Sequence, residues 1–226
     1  HSLTGSSSKL HHDYHDNLYI VIRGTKKFKL FKPEYVNELY VTGNVANVFK
    51  NGLITYNPDF REDGANKKNV EDWKINMELK NSNNGCNNIF GSDNDDDVPD
   101  LDEFAFNDDF VDLYGNEFNT DLDNKSNDTV KPNPDNFSKI NLNENINDII
   151  HKYPLFNKIK DKCITVTINE GEMLYLPASY FHEVTSISNK QLSSHLSLNY
   201  WMHPPKYNAT INEPYIDDYW KCNQLT

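Results

Sequence analysis

Short runs of β-forming residues, separated by turn-forming residues, lie near both ends of the chain. In the N-terminal part, LYIVI at 18–22 and KFKLF at 27–31 flank a turn at Gly24, a pattern that predicts a β-hairpin over 16–32. No helical period separates the runs of the C-terminal part, so we expect a mainly β fold, a jelly roll or barrel of antiparallel strands. These C-terminal runs are CITVTI (163–168), EMLYLP (172–177), FHEVTSI (181–187) and HLSLNYW (195–201).

Two segments that contain proline predict the few short helices of this fold. PEYVNELY at 33–40 begins with Pro33, and proline is favourable in the first turn of a helix. IIHKYPLF at 149–156 predicts a helix that ends before Pro154, because proline disfavours helical backbone in the residue that precedes it.

The composition shows that part of the chain lies outside this β core. Hydrophobic residues make up 37% of the 226 residues, below the roughly 45–50% typical of globular domains. The total charge of −12 is concentrated in 81–130, which holds 14 acidic residues and one lysine, so the rest of the chain carries +1. Asn and Asp dominate this region, a composition typical of low-complexity segments. We expect one domain over 1–226, with 1–80 and 137–226 as the halves of a barrel and 81–136 as a long acidic insertion.

The charge, the cysteines and the hydropathy of the chain limit its expected partners and its expected location in the cell. The near-neutral charge outside the insertion argues against nucleic acid as a partner. Cys86, Cys163 and Cys222 lack close pairing, which fits a reducing compartment, so we expect an intracellular protein of the cytoplasm, the nucleus or both. No apolar run approaches the roughly 20 residues of a membrane span, so we expect no membrane association. The chain begins at His1 rather than Met, which indicates an N-terminally incomplete domain; the oligomeric state stays open.

The densest cluster of titratable residues is LHHDYHDN, directly before the first predicted strand. His11 and Asp13 are two residues apart, and such residues point to the same side of extended backbone. His182, in a strand expected to run antiparallel in the same sheet system, would complete a set of two imidazoles and one carboxylate. That set, with other coordination positions open, is the arrangement of non-haem Fe(II) oxygenases. Two alternatives stay open: a solvated polar loop, and a zinc site that uses His12 and His15.

Three segments resemble the JmjC family of cupin-like, 2-oxoglutarate-dependent oxygenases. LHHDYHDNLYIVIRGTKKFKLFKP (10–33) is similar to the first half of a JmjC jelly roll, where His-x-Asp precedes a Gly-x-Lys turn at a fixed interval. GEMLYLPASYFHEV (171–184) is similar to the second half, with its Gly-acid-x-Leu-aromatic-aliphatic-Pro motif before the distal histidine. HLSLNYWMHPP (195–205) resembles the closing strand. Within the family, the small JmjC hydroxylases related to JmjC domain-containing protein 7 are the most similar.

The resemblance assigns roles to individual residues. His11, Asp13 and His182 match the iron ligands, and Lys26 matches the lysine that pairs with the distal carboxylate of 2-oxoglutarate. An ammonium group on a flexible stem suits that task. Polar surface and core packing are the plain structural alternatives for the remaining positions. These positions, which match residues lining the cosubstrate pocket, are Ser8, Asn17, Tyr19, Asn199 and Trp201.

The resemblance implies a double-stranded β-helix that acts as an Fe(II)- and 2-oxoglutarate-dependent oxygenase, with O2 as the second cosubstrate. Hydroxylation of a protein side chain is the first expectation, and oxidative N-demethylation of lysine or arginine is the alternative. A tRNA base as substrate is disfavoured by the lack of basic charge. The alternative from another class is an inactive cupin that serves as a protein-interaction module through its acidic insertion.

Deleting residues 81–130 tests whether the acidic block belongs to the site. Because the block lies between the segment that holds His11 and Asp13 and the segment that holds His182, we expect the deletion to raise the isoelectric point sharply from about 5.0 and to leave Fe(II) and 2-oxoglutarate binding intact. Isoelectric focusing and titration calorimetry measure the two quantities. Loss of binding in a deletion variant that still folds would make the block part of the site.

Overall fold

Two antiparallel β-sheets organise the compact unit formed by residues 1–68 and 133–226. The computed structural model describes residues 6–86, 133–189, 191 and 194–223. The strands are β1 (Ser6–Ser7), β2 (Asp16–Arg23), β3 (Thr25–Phe31), β4 (Asn47–Val48), β5 (Ile54–Thr55), β6 (Ile164–Ile168), β7 (Met173–Leu176), β8 (Phe181–Ile187) and β9 (Leu196–Met202). One sheet has the strand order β1-β8-β3-β6, the other has the order β7-β2-β9, and β4 pairs with β5 in a small ribbon.

The predicted mainly β, jelly-roll architecture is confirmed. Each of the four C-terminal runs forms a strand, and every pair of strands in the described part is antiparallel. The two larger sheets pack face to face, because one buried cluster takes side chains from both of them. That cluster consists of Tyr19, Val21, Phe28, Leu30, Ile168 and Leu176.

The predicted hairpin over 16–32 is wrong in its pairing, although both of its strands form. β2 pairs with β7 and β9, whereas β3 pairs with β8 and β6 in the other sheet. Gly24, with φ of 83°, carries the chain from one sheet to the other. The physical reason is burial: Tyr19 and Phe28 pack ring edge to ring face across the two sheets, 5.1 Å between centroids, and share one core.

The helical predictions are correct in position and wrong in detail. The segment 33–40 contains only a 3-10 turn, Pro33–Tyr35, followed by further turns. The helix predicted at 149–156 begins earlier, as α2 (Ile146–Lys152), and a 3-10 helix over Pro154–Lys158 follows it. The Asn145 side chain accepts a hydrogen bond from the Asn147 amide and so caps α2.

Two further helices lie at the border of the insertion and near the C-terminal end of the described part. α1 (Lys67–Cys86) leads into the second compact unit, residues 69–132, and α3 is the single turn Tyr219–Cys222. Most of the predicted insertion, residues 87–132, lies outside the described residues. Among the described helices, none has the length and apolar character that crossing a bilayer requires.

The outer face of the sheet β7-β2-β9 carries large apolar side chains that stay in contact with solvent. These side chains share a face because the register pairs Ile20 with both Met173 and Leu198, and side chains alternate along each strand. The exposed members of the face are Ile22, Met173, Tyr175, Leu196, Leu198 and Tyr200.

The crossing between the two sheets predicts a severe effect of Gly24→Ala. A Cβ atom at this position would meet the Ile187 carbonyl oxygen at 2.5 Å in a backbone conformation that already disfavours L-residues. We expect a loss of about 2–4 kcal/mol in the free energy of unfolding, from left-handed strain and overpacking together. Gly171→Ala is the matched control, because φ is +81° there and nothing lies within 4 Å of the added atom. Urea denaturation measures both variants, and equal losses would contradict the role of the close contact.

Candidate metal centre

His11, Asp13 and His182 lie together at the edge where the two halves of the chain meet. Each residue offers one ligand atom, and these atoms lie within 4.8 Å of one another. His11 Nε2 is 3.8 Å from Asp13 Oδ1, and His182 Nε2 is 3.4 Å from Asp13 Oδ2. The His182 side chain is 1% exposed, whereas the other two side chains are partly exposed, so the cluster is open on one side.

Backbone pairing brings the two histidines together. His11 and His182 form an antiparallel bridge in which each amide donates to the other carbonyl, at 3.1 and 2.7 Å. The Ser8 amide donates to the Val184 carbonyl in the same pairing. Three residue steps from Ser8 to His11 therefore oppose two steps from Val184 to His182, which is a bulge. Bulges re-aim side chains, and here the imidazole centroids lie 4.3 Å apart.

Hydrogen bonds to carbonyl oxygens fix the tautomer of both histidines. His11 Nδ1 lies 2.7 Å from the Lys9 carbonyl oxygen, and His182 Nδ1 lies 2.9 Å from the Tyr180 carbonyl oxygen. A carbonyl oxygen only accepts, so each Nδ1 donates and the lone pair stays on Nε2. The Nε2 atom of His182 is buried and has no hydrogen-bond partner in the part of the chain that the structure describes. Two such lone pairs beside a carboxylate fit a divalent cation, with coordination positions left for other ligands.

The electrostatics favour the protonation states that a metal ligand needs. Burial lowers the pKa of His11, and the neighbouring His182 lowers it further. Burial acts to raise the pKa of Asp13, but the neighbouring imidazoles of His182 and His11 outweigh it and leave this pKa below its ordinary value. A neutral His11 and an ionised Asp13 are therefore the stable forms at neutral pH.

His12 faces away from the metal cluster. Its Nε2 atom lies 2.8 Å from the Tyr56 hydroxyl, and burial lowers its pKa to about 3. The alternative of a zinc site that uses His12 and His15 therefore lacks a converging set of ligands: within the described ranges, the residues that could share a metal ion are His11, Asp13 and His182.

The residues that hold His12 and the Asp13 backbone were not predicted. The Asn136 side chain donates to the His12 carbonyl at 2.5 Å, and the His12 amide donates to the Asn136 carbonyl at 3.1 Å. The Ser179 amide donates to the Asp13 carbonyl at 2.7 Å from a backbone with φ of 61°. In a chain so rich in Asn, nothing local distinguishes Asn136, and only its position beside the His-x-Asp segment reveals its role.

Lys26 lies on the same inner face of its sheet as His182. The β3–β8 register pairs Leu30 with His182 and Lys26 with Ser186, and an even spacing along each strand keeps side chains on one face. The Lys26 ammonium lies 5.0 Å from the centre of the Tyr19 ring. Burial lowers the pKa of Lys26.

Four of the other predicted pocket residues line the inner face of the opposite sheet. The β2–β9 register pairs Asn17 with Trp201 and Tyr19 with Asn199. Asn17 is fully buried, and neither atom of its side-chain amide makes a hydrogen bond of ordinary geometry within the described part. The Asn17 amide is nevertheless near enough to the Tyr19 hydroxyl to affect the pKa of that hydroxyl. Trp201 is 38% exposed, and Asn199 is exposed as well.

Ser8 is placed differently from the other predicted pocket residues. Its hydroxyl accepts a hydrogen bond from the Val184 amide at 3.0 Å, so it completes the pairing of β8 with the segment before His11. A backbone role is thus visible for Ser8, and its predicted contact with 2-oxoglutarate stays a prediction.

Comparison with known proteins identifies the family. The profile of the family described as "Cupin-like domain" matches residues 2–208, and the chain belongs to this family. It is 30% identical to JmjC domain-containing protein 4 of Schizosaccharomyces pombe, over 96% of this chain and 55% of that protein. It is 28% identical to JmjC domain-containing protein E of Dictyostelium discoideum, over 87% of this chain and 39% of that protein. The chain thus spans about half or less of the length of these relatives.

The predicted membership in the JmjC group of cupin-like proteins is confirmed by these matches. Proteins of this group are generally 2-oxoglutarate-dependent oxygenases, and the His-Asp-His cluster agrees with that chemistry. The narrower relation to JmjC domain-containing protein 7 stays a prediction.

Asn136→Ala tests the clamp on the ligand segment. The change removes a buried hydrogen bond and leaves the His12 carbonyl without its side-chain donor, so we expect a loss of about 1–3 kcal/mol in the free energy of unfolding. We also expect Co(II) to bind about 10-fold more weakly, as outer residues of metal sites do when altered. Asn143→Ala, at an exposed asparagine of the same segment, is the control. Unchanged Co(II) affinity in folded Asn136→Ala, followed by visible absorption, would contradict the clamp.

Proposed function

We propose that this protein is an Fe(II)- and 2-oxoglutarate-dependent oxygenase that hydroxylates a side chain of a protein substrate. The observation that carries the proposal is the convergence of two imidazole lone pairs and one carboxylate, each tautomer fixed by a backbone carbonyl. Membership in the cupin-like family supports it.

His11, Asp13 and His182 would hold the iron. When bound, Fe(II) with 2-oxoglutarate and O2 supplies the oxidising power needed to hydroxylate an unactivated carbon. The protein contributes three ligands and leaves the other coordination positions to the cosubstrates, which is the characteristic use of such a facial triad. The tautomers fixed by Lys9 and Tyr180 keep both Nε2 atoms directed at the cluster without reorganisation.

Lys26 would bind the carboxylate of 2-oxoglutarate that lies far from the metal. The ammonium is half-buried and lies over the Tyr19 ring, and no acidic partner is recorded for it in the part of the chain that the structure describes. A half-buried cation without a carboxylate partner attracts an anionic ligand. The unsatisfied amide of Asn17, on the facing sheet, offers both a donor and an acceptor to the same ligand.

The apolar base of the barrel keeps water away from this region. Val21 and Phe28 are fully buried, and Leu30 is 6% exposed. In such surroundings the attraction between Lys26 and a carboxylate is stronger than at the surface. N-demethylation would use the same protein groups, so the two reactions differ only in product: a retained oxygen atom or released formaldehyde.

Succinate formation from 2-oxoglutarate tests the proposal. We expect the wild-type chain to bind Fe(II) and form succinate, and His11→Ala to lose at least about 100-fold in iron affinity, more than the loss of an outer residue costs. His151→Ala, at an exposed histidine of α2, is the control and should behave as wild type. Failure of the wild type to bind iron and 2-oxoglutarate would overturn the oxygenase. Binding without succinate formation on any peptide would favour the interaction module.

Lys26→Met separates cosubstrate binding from metal binding. We expect the dissociation constant of 2-oxoglutarate to rise about 10- to 100-fold, since a charge-assisted hydrogen bond contributes about 1.5–3 kcal/mol. Mn(II) affinity should stay unchanged. The neighbouring Lys27 is exposed and points to the opposite face of β3, so Lys27→Met is a matched control. Calorimetry measures both ligands, and equal 2-oxoglutarate affinity in the two variants would contradict the role of Lys26.

A further inference from the structure

The inner face that carries Asn17 and Trp201 continues beyond the last strand pair to two histidines. The β2–β9 register pairs Asp16 with Met202. His15, which precedes Asp16, and His203, which follows Met202, are therefore the next residues along the two chains. Their imidazole centroids lie 5.2 Å apart with ring planes at 54°. The Trp201 ring meets His15 edge-on at 6.3 Å.

Both imidazoles are buried, and that of His203 does not use its hydrogen-bonding capacity. Each residue is 8% exposed. Both ring nitrogens of His203 are buried and lack a hydrogen-bond partner among the described residues. An unsatisfied buried polar group costs about 1–3 kcal/mol and is uncommon in native proteins. A ligand that hydrogen-bonds these nitrogens would remove that cost.

The His203 ring is held in place by apolar packing. The Trp220 indole stacks on it, with 15° between the ring planes, and donates through Nε1 to the Asp63 carbonyl at 3.0 Å. Trp220 belongs to α3, and Asp63 is itself bound by the Arg61 guanidinium. The orientation of His203 is therefore set before any ligand arrives, which reduces the entropy lost on binding.

The position of the two histidines relative to the metal ligands indicates what they would contact. Lys26 and Tyr19 lie toward the Gly24 end of the strands, which is the side that 2-oxoglutarate takes under the proposed function. His15 lies at the other end, directly before β2 and two residues after Asp13, so it is closer along the chain to this metal ligand than Tyr19 is. A substrate side chain that enters at this end of the sheet, where the chain leads from Asp13 into β2, would meet His15 and His203.

We propose that His15 and His203 form a substrate subsite that hydrogen-bonds an uncharged polar side chain bearing both a donor and an acceptor. This inference rests on the proposed function. A neutral imidazole has one donor and one acceptor, so two of them complement a carboxamide or hydroxyl group.

A peptide array tests the subsite on the full chain loaded with Mn(II) and 2-oxoglutarate. Each spot presents one fixed central residue between degenerate flanks. We expect the wild type to prefer Asn, Gln, Ser or Thr over Leu or Val at the centre by about 10-fold, the effect of one or two net hydrogen bonds. His203→Phe, which can still stack on Trp220, should reduce the preference to within about twofold, and His203→Gln should retain part of it.

The controls separate this inference from the proposed function. His151→Phe should keep the wild-type profile, and Mn(II) and 2-oxoglutarate affinities are measured for every variant by calorimetry. A wild type that fails to bind Mn(II) would overturn the proposed function and this inference together. Normal binding of both ligands with no preference at the central residue, or with the same profile in His203→Phe, would overturn the subsite alone. If His203→Phe does not fold, a full wild-type preference in His203→Gln combined with His15→Phe overturns it.

Discussion

The reciprocal pair of backbone hydrogen bonds between His11 and His182 is the contact on which the site depends. It joins two residues that are far apart in the sequence and places their rings on one side. Phe137 bridges His11 from the other side, with rings stacked at 4.9 Å. The segment that carries the first two ligands is thus held between a strand of the C-terminal half and the residues that follow the insertion. The second ligand, Asp13, is held through its backbone carbonyl, which accepts a hydrogen bond from the Ser179 amide.

An ion pair on the opposite face of β8, the strand that carries His182, helps to fix the register of this strand against β3. Glu183, the next residue, points away from the metal cluster and binds the Lys29 ammonium at 2.7 Å. The Glu183 side chain is 4% exposed, and the register places it directly opposite Lys29. Loss of Lys29 would leave the nearly buried Glu183 carboxylate without its partner, and a slip by one residue would turn His182 outward. The pair therefore helps to specify which side chain of β8 faces the metal.

Local pattern predicted the strands and the His11–Asp13 pair, because alternation and the His-x-Asp spacing are properties of a few neighbouring positions. His182 was predicted from its expected strand and from the resemblance to JmjC proteins. Local pattern failed for the pairing of β2 with β3, because Gly24 looks the same in a hairpin turn as in a crossing between two sheets. Local pattern could not identify Asn136 either, because its hydrogen-bond partner, the His12 carbonyl, lies 124 positions away in the sequence. No sequence motif marked His203 or Trp220, because their roles depend on the residues that pack around them in the fold.

The exposed apolar face of the sheet β7-β2-β9 makes the charge of the acidic insertion relevant to solubility. A contiguous surface that includes Met173 and Tyr200 favours contact between copies of the chain. The net charge of −12 opposes that contact by mutual repulsion. Near the isoelectric point of about 5.0 the repulsion disappears while the apolar face remains. Colloidal stability thus rests on the charged block, so a chain without it would precipitate more readily even with its metal centre whole.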